Sequence, residues 1–448
     1  MHVRTSLLPA LLFTALAAAA TDWKAGVARA NITPDGPMWL SGYASRDKPA
    51  SEMESPLWAK ALAIEDRSGG RIVLVSTDLI GLPRALSEQV AAECSKQFGL
   101  ERSRIVLNSS HTHSGPVVRA NLSTMYNLNA ENQRRVEDYS NRLAATLVRI
   151  IGESLANLKP AAISFGEGKA GFAANRREFT PQGVRIGVNP NGPVDHSVPV
   201  VKVVDESGKL QAVLFGYACH NTTLTGEFYK FSGDYAGHAQ AELERLNPGI
   251  TALFYELCGG DQNPNPRSRL ELAEAHGKTL AAEVHRVLAT NLTPVRGRVR
   301  TSFQVVDLPL APHKRETFEE DLKSTNVFRA RRAREILKAY DERREPRKVP
   351  YPVQVVRIPK GFTLIALGGE VVVGYALWAK QQFRGEPLIV AGYSNDVMCY
   401  IPTAKILEEG GYEAVDSMIY YGLPGPFHPE VEERLQDAIR RAMKRAGW

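Results

Sequence analysis

Short apolar runs that stop abruptly in Gly-, Asn- or His-bearing loops, each neighboured by an amphipathic stretch, constrain this chain most. RIVLVSTDLIG (71–81) reads as a buried strand followed by a loop, and LSEQVAAECSKQF (86–98) has helical spacing. RIVLNSS (104–110) is a second strand and runs straight into HTHSGP. ENQRRVEDYSNRLAATLVRIIGESLANL (131–158) is a long amphipathic helix. The alternation continues: AAISFGEGKAG and VPVVKVVD read as strands, HAQAELERLN and LELAEAHGKTLAAEVHRVLATN as helices. Residues 295–310 alternate as an extended edge or hairpin strand. The highly charged stretch 313–348 reads as one or two solvated helices joining two parts of the fold. Residues 362–383 read as strand, tight Gly turn and helix, 388–396 as a strand entering a loop, and 429–448 as a closing amphipathic helix. This mixture predicts an α/β or mixed α+β fold built as one catalytic-type domain.

Composition excludes several classes. The chain has 448 residues with 44% hydrophobic and 23% charged content, which rules out a wholly disordered protein. A net charge of +6 without a long basic run does not indicate a nucleic-acid binder. Four cysteines are too few for a disulfide scaffold. Cys219, Cys258 and Cys399 adjoin candidate site segments, so one disulfide joining two loops and a set of buried free thiols are both open readings. Residues 1–20 combine a short positive start, an apolar run and a small-residue ending at Ala20, the pattern of a cleaved export signal. The mature protein, residues 21–448, is therefore expected to be secreted or periplasmic. No other run is long and apolar enough for a membrane helix. Five Asn-x-Ser/Thr sequons occur, including Asn108 and Asn221, where glycosylation is not expected because they fall inside the candidate site.

The sharpest chemical signal is His111-Thr112-His113, directly after a strand. Two imidazoles two residues apart project to the same side of extended backbone, so they can share a metal, or one can ligate while the other handles protons. A polar loop is the competing reading. His220, in ACHNTT, again sits where a strand meets a loop; a buried structural histidine is the alternative. Asp234 reads equally as a helix cap. Asp261 lies in a Gly/Asn/Pro-rich loop that suits a turn or a close approach to a ligand. Glu370, between two apolar runs, is costly to bury without a partner or a metal, and a helix-capping acid is the other reading. Tyr400 reads first as a core tyrosine.

Taken in order, these segments resemble the neutral/alkaline non-lysosomal ceramidases, specifically their N-terminal catalytic domain. AGVARANITPDGPMWLSGYA (25–44), PLWAKALAIED, VLVSTDLIG, NSSHTHSGP, ANRR (174–177) and PVDHSVPVVKVVD (193–205) carry the likeness. ACHNTT, SGDYAGHA, GGDQNPN, LGGEVVVG, AGYSNDVMCYIPT and GYEAVDSMIYYGLPGPF complete it. The resemblance implies central mixed β-sheets flanked by helices. It implies a zinc ion held by His111, His220, Glu370 and Tyr400. His113 would handle protons beside the metal, Arg176 would orient the substrate or polarise its carbonyl, and Tyr412 would support the site. The implied reaction is hydrolysis of an amide in an N-acyl, ceramide-like lipid by zinc-activated water. The implied partners are a small-molecule or lipid amide, with peripheral contact to a membrane surface and no nucleic acid.

Three departures stand out. The family's Gly-Asp-x-Ser-Pro-Asn segment has Asn263 at the serine place, so a serine nucleophile is unavailable there, while Asn263 can still orient substrate by hydrogen bonding. One earlier tyrosine of the family's Tyr400 motif is replaced by Val397. The family's immunoglobulin-like C-terminal domain is expected to be lacking, with one helix in its place. An ester, phosphoester or glycoside hydrolase on the same scaffold, and a non-catalytic binding protein, are the competing functions.

Overall fold

The computed structural model describes residues 22–119 and 121–448; the export signal read at residues 1–20 lies outside the described residues. The main sheet runs Thr251–Glu256, Leu210–Tyr217, Ser197–Asp205, Lys159–Lys169, Trp23–Asn31, Trp58–Asp66, Arg71–Thr77, Ile105–Ser109, and Thr293–Pro294 pairs with Lys159–Lys169. Its interior pairings are antiparallel. Each end, however, is a parallel pair: Arg71–Thr77 with Ile105–Ser109, and Leu210–Tyr217 with Thr251–Glu256. Parallel neighbours need a crossover connection. The helices Arg84–Phe98 and Asp234–Leu246 supply it at the two ends. Strand and helix both form where the apolar spacing called for them, with Gly99 in the left-handed region closing the first helix.

The sheet folds back on itself. Lys60, Ser76 and Asn108 lie opposite one another in register across three adjacent strands. Their side chains reach the free edge of Thr251–Glu256 and donate to its alternate carbonyls: Lys60 Nζ to Ala252 at 2.8 Å, Ser76 Oγ to Phe254 at 2.6 Å, Asn108 Nδ2 to Glu256 at 3.2 Å. A buried strand edge would otherwise leave these acceptors unpaired. Lys60 Nζ also pairs with Glu244 at 2.7 Å, which compensates its buried charge. Asn108 does more than any other member of the row. Its Oδ1 accepts from Glu256 N at 2.9 Å, and its Nδ2 also reaches Gly392 O at 2.9 Å. A glycan at Asn108 is incompatible with this packing.

A second sheet, Arg300–Pro309, Lys348–Arg357, Thr363–Leu367, Leu388–Ala391, meets the first where Leu257 bridges Ala391 and Asn108 bridges Ser394. Arg300–Pro309 is an edge strand, as its alternation implied. Thr363–Leu367 and Leu388–Ala391 are again a parallel pair, joined through the helix Val373–Gln382. The charged stretch 313–348 forms two helices, Arg315–Asp321 and Val327–Asp341. The closing helix Val431–Arg445 buries Val431, Leu435, Ala438, Ile439, Ala442 and Met443 against the second sheet. All four cysteines are buried free thiols, so the disulfide reading gives way to the other. No helix among the described residues is long and apolar enough to cross a membrane.

Candidate metal centre

Every candidate histidine and carboxylate ligand sits just beyond the C-terminal end of a parallel strand. His111 and His113 follow Ile105–Ser109, His220 follows Leu210–Tyr217, and Glu370 follows Thr363–Leu367. In parallel α/β sheets the crevice outside these strand ends is where ligands bind. Glu370 and Tyr400 are brought side by side by a short parallel ladder, Glu370–Val371 with Tyr400–Ile401, in which the two residues are direct partners. Gly369 makes that turn with φ +73°, and a Cβ there would lie 2.6 Å from the Cys399 carbonyl.

The two histidines of the His-x-His motif converge for a reason other than strand alternation. The strand ends at Ser109, and His111 adopts a left-handed backbone with φ +63°. That conformation is uncommon for a residue with a side chain and collects at functional sites. It is held by the His111 amide on Leu79 O at 2.9 Å. The rings end with their Nε2 atoms 3.2 Å apart.

The hydrogen bonds identify which ring atoms face the centre. His111 Nδ1 donates to Ile80 O at 2.6 Å, and His220 Nδ1 donates to Gly259 O at 2.7 Å. A neutral imidazole that donates from Nδ1 carries its lone pair on Nε2. Burial, aided by the Arg176 charge, pushes His220 down to about 3, so it is neutral. Both Nε2 atoms point at Glu370 Oε2, from 3.0 and 2.9 Å. The result is two imidazole Nε2 atoms and a carboxylate oxygen converging in a buried space. Acceptors do not gather at that distance without a proton or a cation between them. Fixing the ligand tautomer through Nδ1 is also how metal-binding histidines are oriented. Tyr400 places its hydroxyl 3.0 Å from His220 Nε2. Among the described residues, His111, His113 and His220 form the one metal-competent cluster of three or more His, Cys, Asp or Glu side chains.

His113 is the least buried of the three imidazoles, at 9% exposed. Its Nδ1 is buried without a partner. Burial, reinforced by the two neighbouring histidines, holds its pKa well below the ordinary value. Its carbonyl accepts from Arg46 Nη1 at 2.5 Å, and its ring packs 4.8 Å from that of Tyr43. Arg46 also binds the carbonyls of Ser41, Gly226 and Phe228, so this one guanidinium ties three loops together at the site.

Arg176 lies opposite, in the strand Ala173–Thr180. Its Nη2 donates to the Tyr400 hydroxyl at 2.9 Å and its Nη1 to Asn263 Oδ1 at 3.2 Å. Its Nε donates to Glu413 Oε1 at 2.8 Å, while Arg177 Nη1 takes Glu413 Oε2 at 2.7 Å. Burial alone would raise the Glu413 carboxyl; the two arginines outweigh it and hold the group below the ordinary value. Tyr412 packs edge-on to Tyr400, with ring centroids 5.4 Å apart, and lies beneath the Arg176 guanidinium. Asn263 sits opposite Ala174 in the ladder that pairs with this strand. Its Oδ1 also accepts from Thr222 Oγ1 at 3.3 Å, so the amide orientation is fixed and its Nδ2 has no partner among the described residues.

The two aspartates sit apart from this centre. Asp234 opens a helix with φ +52° and accepts from Leu224 N at 2.8 Å, fastening the loop after His220. Asp261 accepts from Val373 N at 2.7 Å and ties the loop carrying Asn263 to the helix after Glu370. Three residues escape sequence reasoning. Glu413 lies within the GYEA segment, and nothing there shows that it faces two arginines. Tyr421, in IYYG, donates to Glu370 Oε1. Glu256 is a buried strand-end acid, pushed well above the ordinary value by burial, that accepts from Cys219 N and Asn221 Nδ2 at 3.0 and 3.1 Å. Asn221 in turn receives the His113 amide on its carbonyl at 3.3 Å. For Glu256 the one signal in the sequence is a carboxylate ending an apolar strand.

The fold and the family follow from comparison with known proteins. A neutral ceramidase from Pseudomonas aeruginosa is 26% identical over 330 residues, covering 67% of this chain and 48% of the relative. Neutral ceramidase A from Dictyostelium discoideum is 24% identical over 246 residues, covering 51% of this chain and 34% of the relative. The matched stretch thus spans about half or less of these relatives' length. The crystal structure of the Pseudomonas aeruginosa neutral ceramidase superposes with a TM-score of 0.71 at 22% identity, covering 94% of this chain and 74% of that one. A ceramidase complexed with C2 gives 0.72 at 20% identity, covering 95% and 76%. The mixed α/β fold is therefore theirs. The sequence model of the neutral/alkaline non-lysosomal ceramidases, N-terminal, matches residues 23–266, more than half of the chain, and the protein belongs to that family.

Proposed function

We propose that this protein is an exported zinc-dependent hydrolase that cleaves the amide bond of an N-acyl, ceramide-like lipid. One observation carries the proposal: the Nε2 atoms of His111 and His220, whose Nδ1 atoms are both taken by carbonyls, meet Glu370 Oε2 in a buried space that only a cation or a shared proton satisfies. His111, His220, Glu370 and Tyr400 would hold the ion, a nitrogen and oxygen set that zinc accepts. Bound zinc would supply Lewis acidity, lowering the pKa of water toward about 7 and polarising a carbonyl.

The protein's own groups divide the remaining work. His113, neutral and the least buried of the three imidazoles, accepts a proton from the attacking water as the water oxygen bonds to the acyl carbon. It returns that proton to the leaving nitrogen as the carbon–nitrogen bond breaks, so the step balances without a further co-reactant. Asn263 offers an N–H to the acyl oxygen, and Arg176 holds both Asn263 and Tyr400 in place. The names of the relatives support amide lipid as the substrate class, and the apolar leader at residues 1–20 supports export.

The test is metal content and hydrolysis on the same preparations. Wild type is expected to carry about one zinc per chain and to release fatty acid from N-acyl sphingoid amides. His111→Ala and His220→Ala are expected to lose both. Zinc-loaded wild type that cleaves esters and spares amides would move the protein to the competing hydrolase class. A wild type that binds no zinc would end the metal reading.

A further inference from the structure

We propose that Tyr421 is a positioning residue that holds Glu370 as a one-oxygen ligand and so keeps a coordination position free for water. The inference rests on the zinc-hydrolase reading and adds to it a residue outside the expected ligand set.

The two oxygens of Glu370 have different surroundings. Oε2 faces both imidazoles, 3.0 Å from His111 Nε2 and 2.9 Å from His220 Nε2. Oε1 makes no hydrogen bond to either imidazole and accepts the Tyr421 hydroxyl. The Glu370 amide donates to Cys399 O at 2.9 Å, and the residue pairs directly with Tyr400, so the backbone leaves its carboxylate little room to shift. Rotation about its last bond is the remaining freedom. A carboxylate that turns freely can offer both oxygens to a cation, and a hydroxyl on one of them leaves a single oxygen for the ion.

Tyr421 is itself well anchored. Its ring packs against apolar side chains of both sheets' cores. Its segment is pinned at Ile419 O by Thr124 Oγ1, and Tyr421 N donates to Met418 O at 3.3 Å. The same segment carries Glu413, which sets Arg176, so residues 412–421 fix two sides of the site at once. A tyrosine that merely satisfied its own buried hydroxyl would need any acceptor; this one takes the free oxygen of a proposed metal ligand.

Tyr421→Phe removes the hydroxyl and keeps the ring. The proposal expects zinc affinity, measured by competition with a chromophoric chelator, to fall about 10- to 100-fold. It also expects the visible spectrum of the cobalt-substituted protein to weaken toward that of a higher coordination number. Activity on a short, water-soluble N-acyl amide should fall in kcat with KM little changed. Tyr420→Phe, one residue away and without contact to a proposed ligand, should leave all three unchanged. Tyr421→Phe with wild-type zinc affinity and cobalt spectrum overturns the proposal while leaving the hydrolase reading intact. A wild type that binds no zinc overturns both.

Discussion

Replacing Glu413 by glutamine tests whether Arg176 is held by a buried ion pair or merely packed in place. Glu413 is 1% exposed and spends one oxygen on Arg176 Nε at 2.8 Å and the other on Arg177 Nη1 at 2.7 Å. The two arginines are not equally dependent on it. Arg177 keeps Glu409 at 3.1 Å and Gly410 O at 2.9 Å, whereas Arg176 keeps no carboxylate, only the Tyr400 hydroxyl and Asn263 Oδ1. Removing one partner of a buried pair costs about 3–5 kcal/mol, because the remaining charge is left uncompensated. Glu409→Gln is the internal control. The Glu409 side chain is 19% exposed, its partner keeps Glu413, and its loss should cost ~1 kcal/mol or less. Urea unfolding of the two variants should therefore differ by at least ~2 kcal/mol. The pH dependence has a definite sign. Although burial alone would raise it, the Glu413 carboxyl is held below 4.5 in the fold, so its stabilisation is present above that value and is lost as pH falls through the lower, folded pKa. The gap between wild type and Glu413→Gln should narrow in acid below 4.5. Equal costs for the two variants at neutral pH would refute the ion-pair account of Arg176.

Two further substitutions separate roles that sit close together. Asn263→Asp keeps an oxygen for Arg176 and Thr222 and removes the N–H, so a donor role predicts a kcat loss of about 10²- to 10³-fold, and a loss below about tenfold refutes that role. Asp261 is raised by burial from 3.8 to about 6, so the folded state holds a proton that the unfolded state has released. Its contribution is greatest below 3.8 and declines as pH rises to about 6, an amplitude of ~3 kcal/mol at ~1.36 kcal/mol per pH unit. Asp261→Asn should flatten that decline in a pH series of thermal melts, and an unchanged profile would show that another group causes it.

Much of the scaffold is legible in the amino-acid sequence, for a physical reason. Apolar period sets strands and helices, and the polar residues that end each strand mark the loops at the crevice. His111, His113, His220, Glu370, Arg176 and Tyr400 are all visible in this way or through the family's ordered motifs, and the fold brings them together. What stays hidden depends on contacts between distant segments. The row Lys60, Ser76, Asn108 looks like polar interruptions in apolar strands until the sheet folds back to need donors. Glu413 and Tyr421 act on Arg176 and Glu370 from 237 and 51 residues away. His111 shows a subtler gap: strand alternation would bring its ring beside that of His113, yet a left-handed turn does so instead.

The proposed histidine and carboxylate ligands follow strands of three separate parallel pairs, and no two of these pairs share a crossover helix. None of these pairs could assemble the centre alone. His111 and His220 enter from opposite ends of the main sheet, which face each other only because that sheet folds back; Glu370 follows the second sheet's Thr363–Leu367 and pairs with Tyr400 in a separate two-stranded ladder. Asn108 stands where all three meet, bonded to Glu256 beside the His220 strand and to Gly392 beyond the last strand of the second sheet. An ion bound there would engage both ends of one sheet and the end of another. Its binding energy would then oppose their separation, adding stability in proportion to the logarithm of ion concentration over its dissociation constant. With an ion bound, the centre would thus also act as a clasp on the fold. The polar residues around it, from Arg46 on three loops to Glu413 on two arginines, hold the loops in position for that ion.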